Sequence, residues 1–482
     1  MARACDTLCE EGPIFFIGCS DKVYDALGKI NLTTLCSKLS LKEKVGYGMG
    51  DGAFNFIWMP FVYFQLFFYT DVFGISAAAV GIMLLVARIW DTVNDPLMGL
   101  IADRTSSRWG KYRPYLLFGA IPLGILATLS FTTPNFSANG KLIYAYVTYF
   151  MLGMAYTSVN IPYSSLMSTM TNDLGERAAL SIARFIGAFS IGAIVLYCTM
   201  DLVDLLGGSD KARGFQYTMA LFSVVVVVML FFTFSLTKER IKPVNPGHSN
   251  FSLELRNLII TGPFIALFFV GIFALSLQSI RNGITIHYFK YLIGDEGLAS
   301  YFMFGGIMFS LLGIALTKLL TDRWDKKKVY FYSMLSSSIP MVMIYFLGPE
   351  HIELIFILNF ASALLAGPTV PIIWAMYTDI VDYSELQSGT RTGGLVFAGA
   401  SFSQKLGWTI GGAMAGFLLA FFHYQPNVAQ SAQSLQGINL MFTLIPFALA
   451  LLAAFSVFFY KLDNRTMQTV LAKLDNQRLL TK

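Results

Sequence analysis

Apolar runs of about 20 residues recur along this chain, separated by short polar or basic connections. Their approximate centres fall near residues 57, 89, 123, 156, 190, 226, 273, 309, 338, 366, 408 and 448. A run of that length crosses a hydrocarbon layer of about 30 Å as a helix. Lipid requires the helix because it offers the backbone no hydrogen-bond partner. The pattern therefore predicts an all-α polytopic membrane protein with twelve transmembrane helices. The rhythm breaks at TKERIKPVNPGHSN, residues 237–250, which divides the spans into two sets of six.

The predicted organisation is a cytoplasmic N-terminal tail at 1–40, a six-helix bundle at 41–237, a cytoplasmic linker at 238–257, a second bundle at 258–461 and a cytoplasmic tail at 462–482. GLIADRTSSRWGKYRP in the first half has a counterpart in TKLLTDRWDKKKVYFY of the second, so Asp103–Arg104 and Asp322–Arg323 recur before a basic turn. Duplication of a six-helix unit is expected of a transporter that rocks two pseudo-symmetric bundles about a central site.

Composition agrees: 55% of the 482 residues are hydrophobic and only 13% charged, with mean hydropathy +0.60, which excludes an ordinary soluble domain. The net charge of +5 matters less than its placement. Connections after even-numbered spans carry Arg104, Arg108, Lys111, Arg113, Arg177, Lys238, Arg240, Lys242, Arg323, Lys326 to Lys328 and Arg391. The opposite connections carry Lys141, Lys211, Arg213 and Lys290. Basic residues stay inside, so both termini are expected in the cytoplasm. Such loops need no nucleic acid to explain them, and no nucleic-acid partner is expected. Four of five cysteines precede the first span in no zinc-like spacing, and no catalytic triad or metal cluster is legible.

The chemistry lies in the spans. Arg88, Asp91 and Asp95 sit at offsets of three and four in GIMLLVARIWDTVNDPLMGLIADR, and so share one helical face. Carboxylates in hydrocarbon are costly unless paired, hydrated or holding a cation, so the two acids form either a buried ion-pair network or a cation site. Asp51 and Asn55 lie one turn apart in span 1; span 4 adds Tyr156, Thr157 and Asn160; spans 5 and 11 add the membrane cations Arg184 and Lys405. Amides and hydroxyls of this kind suit sugar hydroxyls, with Trp58 and Tyr156 as candidate platforms for the apolar face of a pyranose. The predicted cytoplasmic gate comprises Asp103, Arg104, Arg177, Asp322, Arg323, the stripe Asp379, Asp382 and Glu385, and Arg391. These charges are open to a second reading as helix caps or hydrated surface pairs. His287 is read as an interface residue rather than a proton relay.

The run RIWDTVNDPLMGLIADRTSSRWGKYRPYLLFGAIPLG, with LSLKEKVGYGMGDGAFN, VNIPYSSLMSTMTND and YTDIVDYSELQSGTRTGG, resembles the glycoside–pentoside–hexuronide:cation symporter family, of the major facilitator fold. The resemblance implies a cation site at Asp91, Asn94 and Asp95, with Thr157 a further ligand, Arg88 in the adjoining network and Lys405 nearby. Asp91 and Asp95 would be the metal ligands if Na+ is the coupling ion; H+ is the alternative, and no cofactor is implied. Substrate contacts implied or read from the residues are Asn55, Trp58, Arg88, Tyr156, Asn160, Ser164 and Arg184. Melibiose-transporting members carry carboxylates where Asn55 and Asn160 stand, and a tryptophan where Ser164 stands. That departure points away from an α-galactoside, and the chain is more similar to xyloside or other glycoside transporters of the family. The expectation is a monomeric symporter of the bacterial inner membrane, in contact with membrane lipid, moving a small polar solute with Na+ or H+ by alternating access. A hexuronide or sulfonated-sugar transporter, and a lipid or lysolipid symporter of the same fold, are the alternatives.

Overall fold

The computed structural model describes residues 39–171, 173–240, 262–388 and 393–480. Most of the expected N-terminal tail and linker, and Arg391, lie outside the described residues, as do the side chains of Arg88 and Asp103. The first bundle contains α1 (Leu41–Tyr63, extended through Gln65–Phe67 and Phe68–Val72), α2 (Ala77–Arg104), α3 (Arg113–Ser130), α4 (Ala138–Met170), α5 (Leu174–Gly207) and α6 (Lys211–Leu236). The second contains α7 (Gly262–Tyr288, extended through Phe289–Ile293), α8 (Leu298–Ala315, then Thr317–Thr321) and α9 (Lys326–Tyr345). It continues with α10 (Ile352–Ala366 and Thr369–Ser388), α11 (Gly393–Phe421) and α12 (Ala432–Phe442 and Leu444–Ser456). A final helix, α13 (Asn464–Leu480), falls within the expected C-terminal tail. Its first backbone N–H donates to Asp325 at 3.3 Å.

Eight of the twelve spans are long and apolar enough to cross a membrane on composition alone. The others are α1, α2, α9 and α11, and three of these four line the central cavity described below. Apolarity is reduced where polar chemistry is housed. Large side chains such as Ile82, Val86, Phe118, Ile125, Val224, Phe232 and Ile357 face outward and exposed, as lipid contact requires.

Side-chain caps set several helix starts. Ser40 and Glu43 form a reciprocal capping box on α1, and Asp173 accepts from the Glu176 N–H on α5 at 2.7 Å. A less local device starts α3. The Glu239 carboxylate, just beyond α6, accepts from the backbone N–H groups of Lys111, Tyr112 and Arg113 at 2.8–2.9 Å, satisfying donors that a helix start leaves open.

The two bundles repeat a backbone feature at corresponding places. α1 ends in a π-helical turn at Phe68–Val72 followed by Gly74 at φ 84°; α7 ends in one at Phe289–Ile293 followed by Gly294 at φ 90°. Only glycine adopts that left-handed conformation at little cost. These turns meet across the bundle interface. The side chain of Asp71, wholly buried, accepts from the phenols of Tyr291 and Tyr424, from Lys290 at 2.7 Å and from Thr70 at 2.8 Å. His287 Nε2 lies 3.1 Å from the Thr70 hydroxyl and 3.4 Å from Asp71. Asn427 donates to the Asp71 carbonyl and accepts from Lys290 at 2.6 Å. Lys211–Glu296 and the Tyr301–Asp201 hydrogen bond at 3.1 Å add cross-bundle contacts at the same end. This end of the molecule is called the latch end.

Apolar packing has the same asymmetry. One buried cluster runs through the first bundle into the latch-end parts of α7, α8, α9, α10, α11 and α12. A second, confined to the C-terminal half, occupies the opposite end with Leu267, Tyr330, Tyr377 and Tyr460. Among the described residues, the bundles thus share a core at the latch end and not at the basic end. Close α2–α11 backbone contact seals the latch end further: a Cβ on Gly416 would sit 2.6 Å from the Ala77 carbonyl oxygen.

Candidate functional site

A cavity of about 610 Å3 lies between the bundles below the sealed end. From the first bundle it is lined by Trp58 and Phe61 of α1, Trp90, Asp91 and Asp95 of α2, residues Tyr149 to Ile161 of α4, and Arg184 of α5. Among the described residues, the lining from the second bundle comes from α11: Ser401, Gln404, Lys405 and Trp408.

At one wall, the offset of four puts Asp91 and Asp95 together. Asp95 Oδ1 accepts from the Thr157 hydroxyl at 3.1 Å, and its Oδ2 pairs with Lys405. One carboxylate therefore joins α2 and α4 of one bundle to α11 of the other. Gly153 leaves room for Asp91, whose Oδ1 would lie 3.3 Å from any Cβ there. Asn94 does not line the cavity; its amide nitrogen is buried without a hydrogen-bond partner among the described residues.

A second polar pair is set by packing of α1 on α5. Gly48 and Gly187 lie so close that a Cβ on Gly187 would be 2.2 Å from the Gly48 carbonyl oxygen. That approach brings Asp51 opposite Arg184, with Nε to Oδ1 at 3.2 Å. The guanidinium also lies over the Tyr163 ring at 5.4 Å, and the Tyr163 hydroxyl donates to the Tyr47 carbonyl at 2.6 Å. The cavity lining also carries an aromatic group. Trp58 lies 5.9 Å from Tyr156 and meets Trp408 edge-on at 6.2 Å.

Of the expected substrate contacts, Trp58, Tyr156, Asn160 and Arg184 line the cavity, whereas Asn55 and Ser164 do not. Asn55 is buried and donates to the Asp51 carbonyl of its own helix at 2.9 Å. Asp91, Asp95, Thr157 and Lys405 line it as well. Sequence reasoning gave no role to Trp408, Gln404 or Trp90. Trp408 stands three residues beyond Lys405, a helical-face signal that could have located it.

Arg104, Asp322 and Arg323 are exposed, and Arg177 Nε donates to the Thr171 carbonyl at 2.9 Å. Asp379 is held by Lys326 at 2.7 Å and the Tyr460 hydroxyl at 3.1 Å, both in its own half of the chain. Asp382 and Glu385 are half-buried on the same helix.

Two six-helix sets around a shared charged cavity, closed at one end, define a membrane transporter of the major facilitator fold. Residues 46–464 match the family described as MFS/sugar transport protein. The chain is 38% identical to the inner membrane symporter YicJ of Escherichia coli (strain K12), over 90% of this chain and 95% of that protein. It is 35% identical to the isoprimeverose transporter of Lactiplantibacillus pentosus, over 88% and 89% respectively. Among solved structures it superposes on a D-xylose–proton symporter with TM-score 0.60 at 15% identity, covering 87% of this chain and 96% of that one, a likeness of fold alone. The chain belongs to the glycoside–pentoside–hexuronide:cation symporter family.

Proposed function

We propose that the protein carries a glycoside or pentoside-type sugar across the membrane together with Na+ or H+, by alternating access. The observation that carries this reading is the position of Asp95, shared between Thr157 and Lys405 across the bundle interface. A cation arriving at Asp91 and Asp95 competes with the Lys405 ammonium for the same oxygens. Lys405 then leaves, and the tie between α2 and α11 is replaced by cation contacts within the first bundle. Sugar bound beside Trp58, Tyr156 and Trp408 bridges the two bundles in its place. If each ligand favours the other's bound state, linkage makes the preference mutual, and downhill cation movement drives uphill sugar movement.

The lining supports a sugar over a lipid. Ser401, Gln404 and Asn160 supply hydroxyl and amide groups, while the aromatic rings supply flat apolar faces. A lysolipid would require a largely apolar pocket. One chain builds the whole cavity, so the proposed working unit is the monomer in a bacterial inner membrane. With basic connections inside, the latch end faces outward, and the conformation is open to the cytoplasm. Counterflow in proteoliposomes across a panel of neutral and acidic glycosides, with Na+ and pH varied separately, tests the proposal. Sugar exchange stimulated by one of the two cations is expected; absence of exchange for every sugar would refute it.

A further inference from the structure

We infer that the Asp51–Arg184 pair makes this site selective for uncharged glycosides, with Asp51 the residue that excludes hexuronides and sulfonated sugars. The inference rests on the symporter reading and adds the charge class of its substrate.

Arg184 lines the cavity from α5, whereas the Asp91–Asp95 pair and its partner Lys405 line it from α2 and α11. The Arg184 charge is already answered. Asp51 holds Nε at 3.2 Å, and the two side chains are mostly withdrawn from solvent, at 29% and 15% exposure. The α1–α5 contact through Gly48 and Gly187 is backbone against backbone, so the two helices cannot slide to separate the pair cheaply. The other lining cation described, Lys405, is paired with Asp95 while no coupling cation is bound.

A carboxylate or sulfonate entering here has two courses. It can take Arg184 and leave Asp51 buried without its partner, or approach a guanidinium whose charge Asp51 offsets. Both are unfavourable. A neutral sugar meets neither difficulty. A guanidinium has five N–H donors, so those not used on Asp51 remain for hydroxyls. Asn160 and Gln404 both donate and accept.

The test is competitive counterflow by the full chain in proteoliposomes, using neutral 4-nitrophenyl xylosides and glucosides of both anomers against 4-nitrophenyl glucuronides. Wild type is expected to favour the best neutral glycoside at least tenfold. Asp51→Asn frees the Arg184 charge and should shrink that preference at least tenfold or invert it, whereas Asp51→Glu, which keeps the charge, should retain it. Wild-type exchange of glucuronide equal to or better than every neutral sugar overturns the inference while leaving the symporter reading intact, and needs no variant to fold. An unchanged ratio in Asp51→Asn also overturns it. No exchange of any sugar by wild type would remove the symporter reading itself.

Discussion

Replacing Asp71 by alanine should release the latch and shift the protein towards a conformation open at that end. The Asp71 side chain has no solvent exposure and is the common acceptor for Tyr291, Tyr424, Thr70 and Lys290. Removing one member of a buried ion pair costs about 3–5 kcal/mol. Lys290 retains 22% exposure and can recover some hydration, so about 3 kcal/mol is the better figure. The partners come from α1, α7 and the α11–α12 connection, so the loss falls only on the conformer in which these meet. At about 1.4 kcal/mol per tenfold, the equilibrium should move roughly a hundredfold. Ser279 is a suitable reporter. It is buried beside a small cavity of about 50 Å3 between the latch and the central cavity, and its hydroxyl donates to the Trp408 carbonyl at 3.1 Å. Ser279→Cys, in a background whose natural cysteines are replaced by serine, should react slowly with a membrane-impermeant maleimide supplied from the latch side. Adding Asp71→Ala should accelerate that reaction by up to about a hundredfold, the limit set by how populated the open state already is. Unchanged labelling in a variant that elutes as a folded monomer would refute the latch reasoning.

Two other substitutions probe different links. Trp408→Ala removes an edge contact to Trp58 and a face of the cavity, and should weaken sugar binding by about 1 kcal/mol, or several-fold in Kd, with little change in cation dependence. Competitive binding measurements at fixed cation check this, and an equal loss of both affinities would contradict it. Glu239→Ala leaves three backbone donors at the start of α3 without their acceptor and should lower thermal stability by about 1–2 kcal/mol in detergent, read as a fall in Tm, while the cavity chemistry is untouched.

The helices and their pairing into two halves are legible in the chain because a bilayer permits few solutions: apolar runs must be helical, and their lengths are fixed by its thickness. The Asp91–Asp95 face is legible for a similar reason, since charge within a span demands a partner and a spacing of four fixes a common side. What the residues alone do not yield is helix rotation. Asp51 and Asn55 are both polar and one turn apart on α1, and either could have pointed to the interior. Contact of Gly48 with Gly187 decides the matter by turning Asp51 towards Arg184 and leaving Asn55 to its own helix backbone. The latch was hidden differently. Asp71 reads as an ordinary acid at the end of a span, and its partners in the second bundle lie more than 200 residues away in sequence. Its importance comes from a π-helical turn in each half, a backbone feature with no plain residue signature.

In the proposed mechanism the paired acids of α2 are the seat of the coupling cation. Asp95→Asn keeps the side-chain size and an oxygen for Thr157 while removing the charge that pairs with Lys405. Uptake of a transported glycoside into proteoliposomes should be measured with an imposed cation gradient, beside sugar-for-sugar exchange in the same preparation without one. Gradient-driven accumulation is predicted to disappear while exchange persists at a residual rate. Accumulation at the wild-type level would contradict the assignment.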